Sequence, residues 1–239
     1  MQYMGSKNKL SKELVPNIQS YIKEDTKGFI DTFCGGANVI DKITCHKKIG
    51  IDIHKELIEL LKYAQSNELP ATISEEEYNN VRNNKENYPS WYVGLVGFCG
   101  SFGAKYFGGF ARRNNGDDVP AQAVRSLTKQ SKQDLFKDIK FINSDFQSIP
   151  KHKLNKYVIY CDPPYKNTTK YKCGEFPYEE FYDWCEEVSK NNTVLISEYT
   201  MPEDRFKCIW SKEVKNNIGS GVNFTDNSRI EKLWVVRED

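Results

Sequence analysis

The stretch Lys156-Tyr157-Val158-Ile159-Tyr160-Cys161-Asp162-Pro163-Pro164-Tyr165 decides how this chain is read. Its first half is β-branched and aromatic, the composition of a buried strand. Its second half ends that strand on a carboxylate, two prolines and a ring. Prolines donate no backbone hydrogen bond, fix their own φ and restrict the residue before them. The result is a stiff turn holding an acid and an aromatic at the carboxyl end of a strand. In open α/β sheets ligands bind at that edge.

Such a turn suits one kind of chemistry. The exocyclic amine of a nucleobase is a poor nucleophile because its lone pair is delocalised into the ring. Two fixed acceptors for its N–H groups improve it, and the Asp162 carboxylate and Pro163 carbonyl could be those acceptors. Pro164 stiffens the turn, and Tyr165 could stack on the ring face, as extruded bases stack on aromatic side chains. The same tetrapeptide also reads as a plain strand end with a surface acid and a half-buried tyrosine.

Upstream, Gly28 to Phe33 reads as a short buried strand, followed by the turn Cys34-Gly35-Gly36-Ala37-Asn38 and a helix starting with Val39, Ile40 and Ile43. Strand, glycine turn and helix together bring backbone close to a ligand. The G-x-G-x-x-G fingerprint of dinucleotide sites is absent, so nicotinamide or flavin binding is not supported. Lys48 to Ile53 is the second strand. Asp52 near its end suits the two ribose hydroxyls of an adenosine-containing cofactor, and equally suits a cap for the helix over 54–64. Ile139 to Asn143 is the third strand. Asp145 and Phe146 beyond it could take a cofactor's adenine amine and ring, or be a turn and a core phenylalanine. Further strands are expected at Thr193–Ser197, Phe206–Trp210 and Lys232–Val236, with a helix opened by Pro177.

Between Gln65 and Lys137 the alternation of strand and helix breaks. Ser74 with Glu77 three residues on marks a helix start. Tyr88 to Phe98 is compatible with a helix, and Val119 to Phe136 reads as another. From Ser101 to Lys137 seven basic residues, among them Lys105, Arg112 and Arg113, face three acids. Cations interleaved with aromatics on a glycine-rich backbone suit phosphate contact and insertion beside bases. A packed helical insertion with a solvated basic face is the plainer reading. Lys166 and Lys170 in the polar stretch after Tyr165, and Arg229 before the last strand, are further candidates for phosphate contact.

The chain has 239 residues, 38% hydrophobic and 28% charged, an ordinary globular balance. A net charge of +1 gives no global field for a polyanion, so any such binding must be local. Seven scattered cysteines without a C-x-x-C pair, and three histidines, indicate neither a disulfide framework nor a zinc site. No apolar run approaches the ~20 residues of a membrane helix. Residues 1–7 lack the apolar core of a signal peptide. A reduced, cytoplasmic protein without membrane partners is expected.

Taken in order, Tyr3-Met4-Gly5-Ser6-Lys7, Asp31-Thr32-Phe33-Cys34-Gly35-Gly36-Ala37, Asp52, the insertion, Asp145-Phe146 and Asp162-Pro163-Pro164-Tyr165 resemble the Dam-like family of DNA adenine methyltransferases. The resemblance implies an α/β Rossmann-like methyltransferase fold: a mixed, mostly parallel seven-stranded sheet with a small, mainly helical insertion. It divides the chain into a catalytic part, 1–64 and 138–239, and a target-recognition insertion, 65–137. It implies S-adenosylmethionine as cofactor, S-adenosylhomocysteine as product, no metal, and double-stranded DNA bound by a monomer. Catalysis would fall to Asp162, Pro163, Pro164 and Tyr165. Cofactor binding would fall to Tyr3, Lys7, Asp31, Phe33, Gly35, Asp52, Asp145, Phe146 and Asp162. Ala37 stands where the family's loop has its final glycine. RNA or protein-amide methylation, or a silent nucleic-acid binder of the same fold, are the alternatives. The aspartate at 162 favours DNA adenine, because related turns serving other substrates commonly carry asparagine there.

Overall fold

The computed structural model describes residues 1–114, 116–165, 176–215 and 228–237. Lys166 and Lys170 therefore lie outside the described residues. A seven-stranded sheet organises them, in the order β3-β2-β1-β4-β5-β7-β6. Its strands are β1 (Gly28–Asp31), β2 (Lys48–Asp52), β3 (Ile139–Asn143), β4 (Tyr157–Cys161), β5 (Thr193–Ser197), β6 (Phe206–Lys215) and β7 (Ser228–Val236). The first five run parallel, while β7 lies antiparallel between β5 and β6. The last two strands are longer than their apolar cores predict, because their outer halves pair as a two-stranded ribbon of mostly polar residues.

Side-chain alternation splits each central strand between two cores. Phe29 of β1 and Val158 and Tyr160 of β4 join one, with Ile18, Leu57, Leu61, Leu95 and Leu127. Ile30, Ile159 and Cys161 point to the other, against Phe181, Trp184 and Cys185. Helices α1 (Ser11–Gln19), α2 (Lys55–Ser66), α4 (Ser90–Cys99) and α5 (Val119–Ser131) cover the first face, and α7 (Tyr178–Ser189) the second. Strands buried on both faces need no polar alternation, which is why the sequence shows nearly continuous apolar runs.

Residues 65–137 are mainly helical, with α3 (Glu75–Asn83), α4, α5 and α6 (Asp134–Lys137). The Ser74–Glu77 capping box forms at the start of α3. These helices share the first core. Trp91 of α4 stacks flat on Tyr63 of α2, with centroids 3.6 Å apart. Gln130 of α5 donates to the Gly36 carbonyl at 3.1 Å and to Asp41 at 2.8 Å.

Two expectations need correction. The segment after the glycine turn is not an α-helix but a single 3-10 turn, Ile40–Lys42, with Ile43 already extended. The Gln19 side-chain amide donates to the Thr44 carbonyl and accepts from the Thr44 N–H, at 2.9 Å each, and so stops the segment from coiling. The helix expected over Val119–Phe136 also breaks, at an extended Gln133 between α5 and α6.

Among the described residues no helix is long and apolar enough to cross a membrane.

At Gly94 the helices α2 and α4 lie so close that an added Cβ would collide with the Glu56 carbonyl. Gly94→Ala is expected to cost about 1–3 kcal/mol through overpacking, measured as a lowered urea midpoint with an unchanged slope.

Candidate active site

Strands β2, β1 and β4 are neighbours, so their carboxyl ends bring Asp52, Asp31 and Asp162 to one edge of the sheet. Between β1 and β4 the strand order reverses, and a crevice opens at such a point. Asp31 is only 2% exposed, and its Oδ1 has no hydrogen-bond partner among the described residues. Burial first, and then the neighbouring Asp162, hold its pKa well above the ordinary carboxylate value, although the Phe33 amide pulls the other way.

Asp52 accepts from the Gly35 amide at 3.0 Å through one oxygen and from the His54 amide at 2.9 Å through the other. It therefore ties the glycine turn to β2 and shapes the turn into α2. Burial raises its pKa, against the pull of the two amides. Gly35 has φ +47°, and a Cβ there would lie 2.7 Å from the Tyr3 ring, so Tyr3 can seat itself only over glycine. Ala37 has φ +57°, a left-handed conformation that a glycine would adopt without strain. Next to Asp52, Ile53 is 64% exposed.

The turn after β4 is held from several sides. The Tyr178 hydroxyl donates to the Pro164 carbonyl at 2.9 Å. The Thr32 hydroxyl meets the Tyr160 carbonyl and the buried Cys161 sulfur, each at 3.2 Å. Cys161 is inside the sheet and is no nucleophile. Among the described residues none donates to the Pro163 carbonyl.

Onto this turn the N-terminal segment folds. Ser6 caps a 3-10 turn, Lys7–Lys9, and accepts from the Asn38 side chain at 2.8 Å, so the segment is anchored to the glycine turn. Lys7, itself buried, puts its ammonium 2.9 Å from Asp162 Oδ1 and 3.8 Å from Glu231 Oε2. The ammonium also sits over the Tyr165 ring, 4.4 Å from its centroid. The Tyr165 hydroxyl donates to Glu231 at 3.0 Å, and Tyr199 stands edge-on to its ring at 4.5 Å. Burial alone would lower the Lys7 pKa, but Asp162 and Glu231 together raise it. Burial raises the Asp162 pKa more than Lys7 lowers it, and Glu231 adds to the rise.

The sequence-derived residues thus divide. Tyr3, Lys7, Asp31, Gly35, Asp52, Asp162 and Tyr165 belong to one connected region. Phe33 and the buried Phe146 pack on each other at 5.7 Å and on Phe181. Asp145 accepts from the Gln147 amide at 2.8 Å, closing a turn. Arg112 pairs with Glu75 and Arg113 with Asp117, all on the surface, where Lys105 is exposed too. Arg229 lies on β7, its guanidinium 5.8 Å from the Tyr199 ring centre. Sequence reasoning missed Glu231, Tyr199, Tyr178 and Ile53. Nothing in their local sequence marks them, because only the antiparallel insertion of β7 beside β5 brings Glu231 to Lys7.

A seven-stranded sheet of this order, with β7 inserted antiparallel, defines a Rossmann-like methyltransferase fold. Residues 3–95 match the model of the D12 class N6 adenine-specific DNA methyltransferases. The Type II methyltransferase M.FokI of Planomicrobium okeanokoites is 28% identical over 212 residues, 77% of this chain. The chain spans about a third of that protein's length, 31%. Among solved structures, an rRNA methylase from Streptococcus thermophilus superposes with a TM-score of 0.42 at 8% identity, covering 96% of this chain and 97% of that one. The magnesium protoporphyrin IX methyltransferase of Synechocystis PCC 6803 gives 0.35 at 11% identity, covering 97% and 79%.

Because folded Asp31 keeps its proton to higher pH than the unfolded chain does, the protein loses stability as pH rises from about 4 to the folded pKa, and no further beyond it. Asp31→Asn cannot ionise and escapes this loss. Its stability relative to the parent is expected to grow across that interval and then level off, measured by urea unfolding from about pH 4 to pH 8.

Proposed function

We propose that this chain transfers the methyl group of S-adenosylmethionine to the N6 amine of an adenine flipped out of double-stranded DNA. The observation that carries the proposal is the Asp162-Pro163-Pro164-Tyr165 turn, standing at the crevice between β1 and β4 with Asp31 and Asp52 beside it.

The residues present fit the cofactor. The partnerless Asp31 oxygen suits its ammonium group, and Asp52 suits its ribose hydroxyls. Gly35 and Tyr3 would line the methionine part, and the exposed Ile53 the adenine. The cofactor, when bound, supplies an electrophilic methyl on a sulfonium. Asp162 accepts one N–H of the target amine and the Pro163 carbonyl the other, which fixes the nitrogen and turns its lone pair toward the methyl. Transfer to the nitrogen would release the thioether product, and Asp162 would pass the proton lost by the amine to solvent. Tyr165 stacks on the extruded ring. Orientation supplies much of the acceleration.

Residues 65–137, with Lys105, Arg112 and Arg113 exposed, would carry target recognition, and Arg229 would add a phosphate contact. DNA adenine is favoured over RNA or a protein amide by the aspartate at 162 and by the family match. The chain is taken to act as a monomer.

Purified protein given tritiated-methyl S-adenosylmethionine and unmethylated DNA, RNA or protein should label N6-methyladenine in DNA alone. Label in RNA or protein, or none at all, would overturn the reading. Asp52→Ala is expected to weaken cofactor binding by roughly one to two orders of magnitude, since charge-assisted hydrogen bonds contribute about 1.5–3 kcal/mol. Titration calorimetry checks it. Lys105→Ala and Arg112→Ala should each weaken DNA binding and lower its salt slope by about one. Filter binding across a salt series would show it.

A further inference from the structure

Arg229 and Glu231 stand two residues apart on β7, so their side chains leave the same face of the strand. Glu231 accepts from the Tyr165 hydroxyl at 3.0 Å, which sets that face against the turn after β4. A second tether reaches Arg229 from the end of β5. Tyr199, just beyond that strand, stands edge-on to Tyr165 with 4.5 Å between ring centres. The Arg229 guanidinium lies 5.8 Å from the Tyr199 ring centre, with one nitrogen 3.4 Å from the Tyr199 hydroxyl. Strand register and an aromatic ring therefore place this cation. Among the described residues no ion pair involves Arg229, whereas Arg112, Arg113 and Arg205 are each matched to an acid.

An exposed guanidinium that rests on a ring and has no acid beside it is suited to an anion, above all to a phosphate. S-adenosylmethionine carries no phosphate, so the anion belongs to the nucleic acid. The phosphates on either side of a nucleotide stand one sugar away from its base. Arg229 stands one ring away from Tyr165, on which the extruded base stacks. We infer that Tyr199 is a positioning residue: it holds Arg229 against a phosphate of the extruded nucleotide itself, so that base and backbone are gripped at a fixed separation. The inference rests on the transfer reaction proposed above. It gives Arg229 one phosphate, next to the target adenine, in place of a diffuse attraction to the duplex. Tyr199 acts through the two side chains it touches.

Once sequencing of labelled DNA gives the target site, duplexes are made with an uncharged methylphosphonate on the 5′ side of the target adenine, on its 3′ side, or several nucleotides away. One of the two adjacent replacements should weaken binding to the parent protein about tenfold, as loss of a charged hydrogen bond does. In Arg229→Ala the same replacement should cost no more than about twofold, the scatter expected of independent changes. Tyr199→Leu should behave like Arg229→Ala, and Tyr199→Phe, which keeps the ring, like the parent. Binding of S-adenosylhomocysteine checks that each variant is folded. No cost in the parent, an equal cost at the distant phosphate, or a full cost in Arg229→Ala would overturn the inference.

A second measurement needs neither a target site nor turnover. Saturation-transfer NMR compares adenosine with its 5′- and 3′-monophosphates on protein whose cofactor site is filled with S-adenosylhomocysteine. One monophosphate should bind at least about threefold tighter than adenosine, the scale of an exposed ion pair. Arg229→Ala and Tyr199→Leu should each remove that preference. A parent without the preference, or a preference that survives in Arg229→Ala, would overturn the inference. Should the parent protein label no DNA, the transfer reading fails, and this comparison alone decides whether Arg229 takes the phosphate of an adenine nucleotide.

Discussion

A parallel sheet with several acids at one edge must solve an electrostatic problem before it can hold a ligand. Asp31, Asp52 and Asp162 end neighbouring strands and are withdrawn from water, and each has its pKa raised. The ion pair of Lys7 with Asp162 is what allows the turn after β4 to carry a charge in that setting. Much else follows from placing that lysine. The Ser6 cap, the Asn38 side chain that grips Ser6, and the glycine turn that carries Asn38 form one chain of contacts from β1 to Lys7. Asp52 extends it to β2 by accepting from Gly35.

Asp31 shows the opposite solution. Among the described residues its Oδ1 has no partner, and burial holds its pKa up. An uncompensated polar atom at the bottom of a crevice lowers stability, and such a group is retained where a ligand completes it. Ala37 adds local strain on the same loop through its left-handed backbone. This edge of the sheet is thus the part of the fold that stability alone would have built otherwise.

Residues 65–137 are tied closely to the rest of the fold. Gly94 lets α4 press on the backbone of α2, Trp91 stacks on Tyr63, and Gln130 reaches back to the glycine turn. Tyr3, Phe98, Tyr106 and His54 form a run of ring contacts, 4.5 to 5.7 Å between centroids, from the glycine turn into the insertion. Helices so embedded give the exposed segment near Lys105 and Arg112 a firm base.

What the sequence by itself determined was local. The apolar runs, the proline turn at 163–164 and the capping box at Ser74 each have short-range causes, and each stands where its residues predicted. The strand-end acids were legible for the same reason: a carboxylate cannot continue a buried strand, so it marks the edge. Residues whose place depends on packing were not legible. Val39, Ile40 and Ile43 have helical spacing, but Gln19, more than twenty residues away, holds Thr44 and leaves room for only a 3-10 turn. Glu231 is one acid on a strand of mixed residues, and nothing near it in sequence tells it from a surface glutamate. The antiparallel insertion of β7 beside β5, a long-range pairing, alone carries it to Lys7 and Tyr165. Local chemistry therefore fixed the proline turn after β4, and only the tertiary structure decided which charges surround it, because Coulomb contacts depend on distance in space and not along the chain.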